Sequence, residues 1–367
     1  MKVTAALCCL GILFAACAPD EEVAPSPGAP TSTLSPSATA PPRATSPPDI
    51  TTPPGAPSPT EAPPETIPFV AVAWERGSRL VLLAERGEPM SCPAPSESAC
   101  GPLVIVREVE LPAAPHNLAA FGQTVLITHP EAGLVSRYDV ASGELKSAQL
   151  GTEPHDVKFA RDGSTAYVAD EAGRRLIVIN PVSLEVRQVL PLPAQPHDIA
   201  VDGSSTLWVT LIGRSELAHI ENGQIELFAV GGAPHDLVVD GGGRVWFSHW
   251  GSPALSIFDP ASGAVAQADA GVEEPHHFTL GPDGVVWVSD NGGSAVVGFL
   301  PGGALTVPVG PTPHHLGFVR DLLAVAVSGS GEVVIVQDGT VVGRISIGSG
   351  LHGLAVGEVP APAPWSS

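Results

Sequence analysis

The sequence predicts an all-β fold, a seven-bladed β-propeller of four-stranded blades, and two observations carry that expectation. The first is a short phrase, a histidine usually preceded by proline and followed two residues later by an aliphatic or aromatic residue, which recurs seven times. Its copies are Pro115-His116-Asn117-Leu118, Pro154-His155-Asp156-Val157, Pro196-His197-Asp198-Ile199, Pro234-His235-Asp236-Leu237, Pro275-His276-His277-Phe278, Pro313-His314-His315-Leu316 and Leu351-His352-Gly353-Leu354. The histidines are 39, 42, 38, 41, 38 and 38 residues apart, the length of one propeller blade. The second is what fills each repeat: apolar runs of period two separated by Gly, Pro and Asp turns, with no helical spacing.

Within a repeat the His phrase opens the innermost strand. A turn follows (Asp162-Gly163, Asp202-Gly203, Gly241 to Gly243, Pro282 to Gly284), then an alternating run such as Leu207 to Leu211 or Val286 to Asp290. Two further runs, for example Leu176 to Asn180 and Leu184 to Leu190, complete four strands. The last phrase leaves room for one strand, Leu351 to Val356, whereas three strands precede the first phrase: Phe69 to Trp74, Leu80 to Leu83 and Leu103 to Glu110. One C-terminal and three N-terminal strands make a clasp blade that hides the edges an open ring would expose.

The chain divides into residues 1–17, 18–67, 68–357 and 358–367. In the first segment Met1-Lys2 and the apolar run Val3 to Ala16 have the form of a secretory signal, too short for a lasting membrane span. Leu13 to Cys17 resembles a bacterial lipobox, with Cys17 as the lipidated residue; ordinary cleavage near Ala16 is the alternative. Residues 18–67, dominated by Pro, Ser, Thr and Ala, bury too little to offset chain entropy and read as a disordered tether. Such a segment of about 50 residues spans roughly 40 Å as a coil and on the order of 150 Å as polyproline. The closing residues 358–367 read as a flexible tail.

Cys8 and Cys9 lie in the signal, so Cys92 and Cys100, in a Pro/Ser-rich loop of the clasp, remain to form a disulfide in an oxidising compartment; no CxxC spacing supports a metal pair there. A net charge of −21, with no cluster among the 17 Lys and Arg residues, argues against nucleic acid and anionic lipid as partners. The chain is expected as a monomer held to a membrane of the cell envelope, extracytoplasmic, by its N-terminal lipid.

Seven histidines opening seven innermost strands should ring one end of the central channel. Reflection of His276 through the turn at Asp283 makes Asp290 its cross-strand neighbour. The same reflection in each blade gives a second ring of Trp74, His129, Asp170, Leu211, His249, Asp290 and Val327. Its chemistry is lopsided, which favours a local site. The richest sector combines Glu274, His276, His277 and Asp290 with His235 and His249; a second holds Glu153, His155, Asp170 and His129. Carboxylates at 274 and 290 suit a hard cation and His276 a proton acceptor. The bland reading makes the repeated Pro-His a turn device, its imidazole bonded to the next blade. The doubled His276-His277 and His314-His315 raise a copper, zinc or nickel centre, but strand alternation should send adjacent side chains to opposite sides and leave one inward ring.

The stretches Pro234 to His249 and Pro275 to Asp290 resemble the repeats of streptogramin (virginiamycin B) lyases, and Ala166 to Pro181 resembles a YVTN-type propeller repeat. The resemblance covers residues 68 to 357 and implies a magnesium-dependent carbon–oxygen lyase that opens a cyclic depsipeptide by elimination. Carried over, Glu274 and Asp290 hold magnesium, His276 is the catalytic base and His235 contacts substrate, with His249 beside it. Asp290 stands where the family has Glu. The leading functional reading is a membrane-anchored lipoprotein whose His-lined face binds a small molecule, a peptide or a protein partner; the lyase is the alternative.

Overall fold

Apolar runs of four to ten residues that alternate and end in tight turns can satisfy their backbone groups only by pairing with the next run. The computed structural model describes residues 65–85, 101–203, 206–268 and 271–365. It forms seven antiparallel four-stranded sheets. The innermost strands are Leu118–Phe121, Pro154–Phe159, Gln195–Val201, Pro234–Val239, Pro275–Leu280, Pro313–Val319 and Leu351–Pro360. Each touches the next and the last touches the first, so the ring of blades is closed. Cys17, Cys92, Cys100, the signal and all but the last residues of the expected tether lie outside the described residues, and so do the expectations for them.

Side chains alternate along each strand between the two neighbouring blades. In the clasp, Val70 and Val72 pack on Ala324, Val333 and Ile335 of the preceding blade, whereas Phe69, Ala71 and Ala73 pack on Val125, Ile127 and Tyr138 of the following one. A buried cluster of this kind fills every blade interface. Burial of apolar area at about 25 cal/mol per Å² is the main stabilising term.

Closure follows the expected scheme. The clasp has the order Leu351–Pro360, Thr66–Trp74, Arg79–Glu85, Leu103–Glu110. Pairing of its first two strands runs from Thr66 opposite Pro360 to Trp74 opposite Leu351. Both strands pass the expected boundaries at 68 and 357. The segment expected as a flexible tail continues the strand to Pro360, buries Val359 and Ala363, and sets the Trp365 ring edge-on to Phe69 at 6.5 Å. The physical reason is that Phe69 needs a cover on its outer side, which an apolar Val359/Trp365 pair supplies.

Gly353 explains why the seventh phrase departs from the others. Its N–H donates to the His116 carbonyl at 2.9 Å, and a Cβ there would stand 2.5 Å from that oxygen. Only glycine lets the last phrase meet the first this closely.

Deletion of residues 351–367 removes a whole innermost strand and re-exposes two blade interfaces. Its thermal unfolding should lose the parent's cooperative transition or shift down by well over 10 °C; a melting temperature equal to the parent's would contradict closure by the clasp.

Candidate functional site

A one-residue slip at the start of the innermost strands decides what faces the channel. In the blade of His276 the pairs are Pro275 opposite Asp290 and then Phe278 opposite Val288, with a bulge between. The same irregularity follows Pro154, Pro196, Pro234 and Pro313. Proline has no N–H to pair, and the first bulged N–H finds a hydroxyl instead of a strand carbonyl. The amides of Asn117, Asp198, Asp236 and His277 donate to the hydroxyls of Thr128, Thr210, Ser248 and Ser289 at 3.0 to 3.2 Å. His276 and Asp290 are therefore not cross-strand neighbours, contrary to the reflection through Asp283, because the bulge consumes one residue of the count.

The bulge also turns two consecutive side chains toward the axis, which overturns the expectation of a single inward ring. The seven repeat imidazoles form a closed circuit. Ring centroids are 4.5 Å apart for His116/His155, 3.9 for His155/His197, 4.2 for His197/His235, 4.9 for His235/His276, 4.0 for His276/His314, 4.0 for His314/His352 and 3.6 for His352/His116. Beneath them lies a second layer of Asn117, Asp156, Asp198, Asp236, His277 and His315, in which the rings of His277 and His315 stack at 3.9 Å.

Carboxylates in the second layer tie blade to blade. Asp156 accepts the Ile199 N–H at 3.1 Å and Asp198 accepts the Leu237 N–H at 3.0 Å. Lys158 lies 2.8 Å from Asp156 and 3.2 Å from Asp198. Burial works against its charge, but the two carboxylates outweigh burial and hold its pKa above the ordinary lysine value. Asp236, the third of this series, faces imidazoles instead: its Oδ2 is 2.9 Å from His276 Nδ1 and 3.2 Å from His235 Nδ1. Against the cost of burial, these two rings hold the Asp236 carboxyl well below the usual range.

Four imidazoles of the circuit are held neutral at pH 7. Burial is the largest cause, and neighbouring imidazoles add to it: His197 is pushed down to about 3, and His155, His314 and His352 fall well below 6.5, as does His315 in the second layer. In the second layer burial also pushes His277 down to about 4. His235 moves the other way. Burial pulls its pKa down, yet the Asp236 carboxylate overcomes that and raises it.

The second ring expected from reflection has a different role. Asp290 is buried, and its Oδ1 accepts N–H groups from Glu273 at 3.1 Å, Glu274 at 2.8 Å and Gly293 at 3.1 Å. Asp170 likewise accepts from Thr152 and Glu153, both at 2.8 Å, and from Arg175 Nε at 2.7 Å. His249 Nδ1 accepts the Ala233 N–H at 3.2 Å and its Nε2 donates to Ser256 Oγ at 2.8 Å. His129 holds the same place with the opposite tautomer, Nδ1 donating to the carbonyls of Ala113 and Ala114 and Nε2 accepting from Ser136. Burial depresses both imidazoles, so both serve as neutral braces for the loop that enters their blade.

In three blades the residue that follows the second-ring position faces the imidazoles. Glu75 lies 3.4 Å from His116 Nδ1, Glu171 lies 3.0 Å from His197 Nδ1, and the Trp250 ring meets His235 edge-on at 4.5 Å. Sequence reasoning missed this rim because a slip of one residue exchanges the two faces. The available signal was the Ser or Thr before the brace in Val-Trp-Phe-Ser-His249 and Val-Trp-Val-Ser-Asp290.

Four of the expected residues do meet. Glu274, His276, His235 and His249 line one cavity of about 290 Å³ together with Trp250, Gly251, Pro275 and Asn291. Trp250 is 66% exposed. Asn291 Oδ1 is buried without a hydrogen-bond partner among the described residues. Asp290 stands outside this lining. The magnesium implied by the lyase resemblance would be held by Glu274 and Asp290 together, but Asp290 is turned to the backbone amides of its own loop and does not line the cavity with Glu274, which does not fit that demand.

No family model matches the chain, and no curated protein matches it. Among solved structures it is similar to a catalytically inactive virginiamycin B lyase from Staphylococcus aureus with quinupristin, at TM-score 0.56 and 16% identity over 72% of this chain and 92% of that one. A streptogramin B lyase gives TM-score 0.59 and 16% identity over 66% and 86% of the two chains. A functionally unknown protein from Desulfotomaculum acetoxidans gives 0.62 and 14% over 79% and 98%. At these identities the likeness shows a shared propeller fold.

Asp290→Ala should cost about 2–4 kcal/mol in denaturant unfolding, because three amides lose a charged acceptor, and Asp290→Asn should recover much of it; no loss in the alanine variant would contradict the brace. His315 and His352 have folded pKa values below the unfolded 6.5, so at pH 7 both states are largely unprotonated, whereas on acidification the unfolded chain takes up protons first. Stability should therefore fall from pH 6.5 downward by about 1.4 kcal/mol per pH unit for each such histidine. A melting temperature unchanged between pH 7 and pH 5 would contradict a neutral buried circuit.

Proposed function

We propose that the protein is an extracytoplasmic lipoprotein, anchored to a membrane of the cell envelope through Cys17, that binds a small cation-bearing ligand or peptide end on the His-lined face. The observation that carries this reading is Trp250, a large aromatic two-thirds exposed beside a cavity that also presents Glu274 and the unpartnered Asn291 Oδ1. An exposed indole attracts cations through its π face, by about 0.5–2 kcal/mol. Glu274 adds charge attraction, the Asn291 oxygen awaits a donor, and the −21 net charge draws cations toward the whole surface.

The lipid and the long tether favour binding over turnover of a diffusing drug. They keep the propeller near a surface while leaving it free to search. A monomer with no nucleic-acid partner fits the same charge and the same closed ring.

The second reading, a carbon–oxygen lyase acting on a cyclic depsipeptide, is favoured by one observation: His276, the base by resemblance, lines the same cavity. Its metal requirement is the weak point, since Asp290 is committed to backbone amides.

Calorimetric titration of the purified chain with triarginine and with a streptogramin B depsipeptide separates these readings. Binding should occur without turnover and weaken at least tenfold in Trp250→Ala and in Glu274→Gln. Heat-silent titrations with both probes, or affinity indifferent to Trp250, would overturn the binding site. Linearisation of the depsipeptide that disappears in His276→Ala would replace it with the lyase.

A further inference from the structure

Beside the cavity, several buried ligand-type atoms lie close together with few well-directed hydrogen bonds among them. His235 Nε2 lacks a hydrogen-bond partner among the described residues, and Asp236 Oδ2 and His276 Nδ1 face each other at 2.9 Å without the alignment of a hydrogen bond. His235 and Asp236 are 4% and 5% exposed, so solvent does not readily serve them. Leaving a buried nitrogen unpaired costs about 1–3 kcal/mol, and a buried carboxylate whose contacts are poorly aligned adds to that. A bound cation removes that cost.

The donor set is ordered for one. Glu171 Oε2 lies 3.0 Å from His197 Nδ1. A carboxylate only accepts, so His197 carries its proton on Nδ1 and presents the bare lone pair of Nε2 to Asp236 Oδ1, 4.0 Å away. A carboxylate that fixes the tautomer of a coordinating histidine from behind is a recurrent device of metal sites. One ligand atom from each of His197, His235 and Asp236 lies within 4.8 Å of the other two. Around a tetrahedral ion with bonds of about 2.0–2.1 Å, ligand atoms stand about 3.3 Å apart. Asp236 spans the set with its two oxygens, Oδ2 standing 2.9 Å from His276 Nδ1 and 3.2 Å from His235 Nδ1, and Oδ1 4.0 Å from His197 Nε2, separations near that value.

We infer that His197, His235 and Asp236, with His276 beside the carboxylate, bind one divalent transition-metal ion of the zinc class at the His-lined end of the propeller. Imidazoles joined with a single carboxylate select zinc, nickel or copper over magnesium or calcium, which favour oxygen shells. Glu171 is a positioning residue. The site shares His235 and His276 with the cavity, and the inference rests on the reading of this face as a binding surface; a metal there would present an additional anchor to whatever enters beside Trp250.

The test is zinc uptake by the full chain after metal stripping and alkylation of its cysteines, measured against a chromogenic chelator. Wild type should take one ion per chain in the presence of millimolar magnesium, and cobalt in its place should show the intense visible bands of a tetrahedral ion. Asp236→Asn and His197→Ala should lose the ion. Glu171→Gln, which leaves every ligand in place, should weaken uptake by about 10–100-fold with an unchanged melting profile, whereas His315→Gln should leave uptake unaltered. Absence of zinc uptake by the wild-type chain, full uptake by Asp236→Asn, or a loss in His315→Gln but not in His197→Ala would overturn the inference. Trp250→Ala separates the two readings: it should weaken triarginine binding at least tenfold and spare zinc. Triarginine binding without zinc uptake defeats only the metal site, and zinc uptake without any organic ligand defeats only the cavity.

Discussion

Seven wedge-shaped sheets can share an axis only when the first and last segments of the chain pair with one another, and the contact between Thr66–Trp74 and Leu351–Pro360 supplies that constraint. Everything at the narrow end depends on it. Closure forces the innermost strands together until the repeat imidazoles touch all the way round, at 3.6 to 4.9 Å between centroids. It also forces Gly353, since the last phrase passes too close to the His116 carbonyl for any side chain. The ring of histidines is thus a consequence of packing as well as a chemical surface.

Burial within that ring sets its protonation. Adjacent imidazoles disfavour one another's charge and the surrounding blades exclude water, so His155, His197, His314 and His352 are neutral. Asp236 breaks the pattern. The corresponding Asp156 and Asp198 are engaged by Lys158 and by backbone amides of the next blade, whereas Asp236 meets His235 and His276. One carboxylate facing imidazoles, next to an exposed tryptophan, is what makes this sector chemically distinct from the other six.

The blades, their number and the clasp were legible in the sequence because they depend on period, turn residues and chain ends, which are local or countable. The site was legible only in part. Glu274, His235, His249 and His276 do gather round one cavity, but alternation counted through Pro275 misplaced Asp290 opposite His276 and hid the rim residues Glu171, Trp250 and Asn291. A proline that cannot donate and a serine hydroxyl that accepts in place of the strand produce a bulge, and no periodicity records it. The repeated Asp156, Asp198 and Asp236 were in plain sight after each histidine. Their importance emerges only once two successive side chains are seen to turn inward.

That inward turn is the central claim, and the tautomers of the histidines report it directly. A long-range proton–nitrogen correlation spectrum of the imidazoles at pH 7 should show His155, His197 and His352 as neutral rings protonated on Nδ1, as their partners require. Averaged shifts of freely exchanging, half-protonated rings at those positions would mean that the imidazoles face solvent, and the axial circuit would not exist.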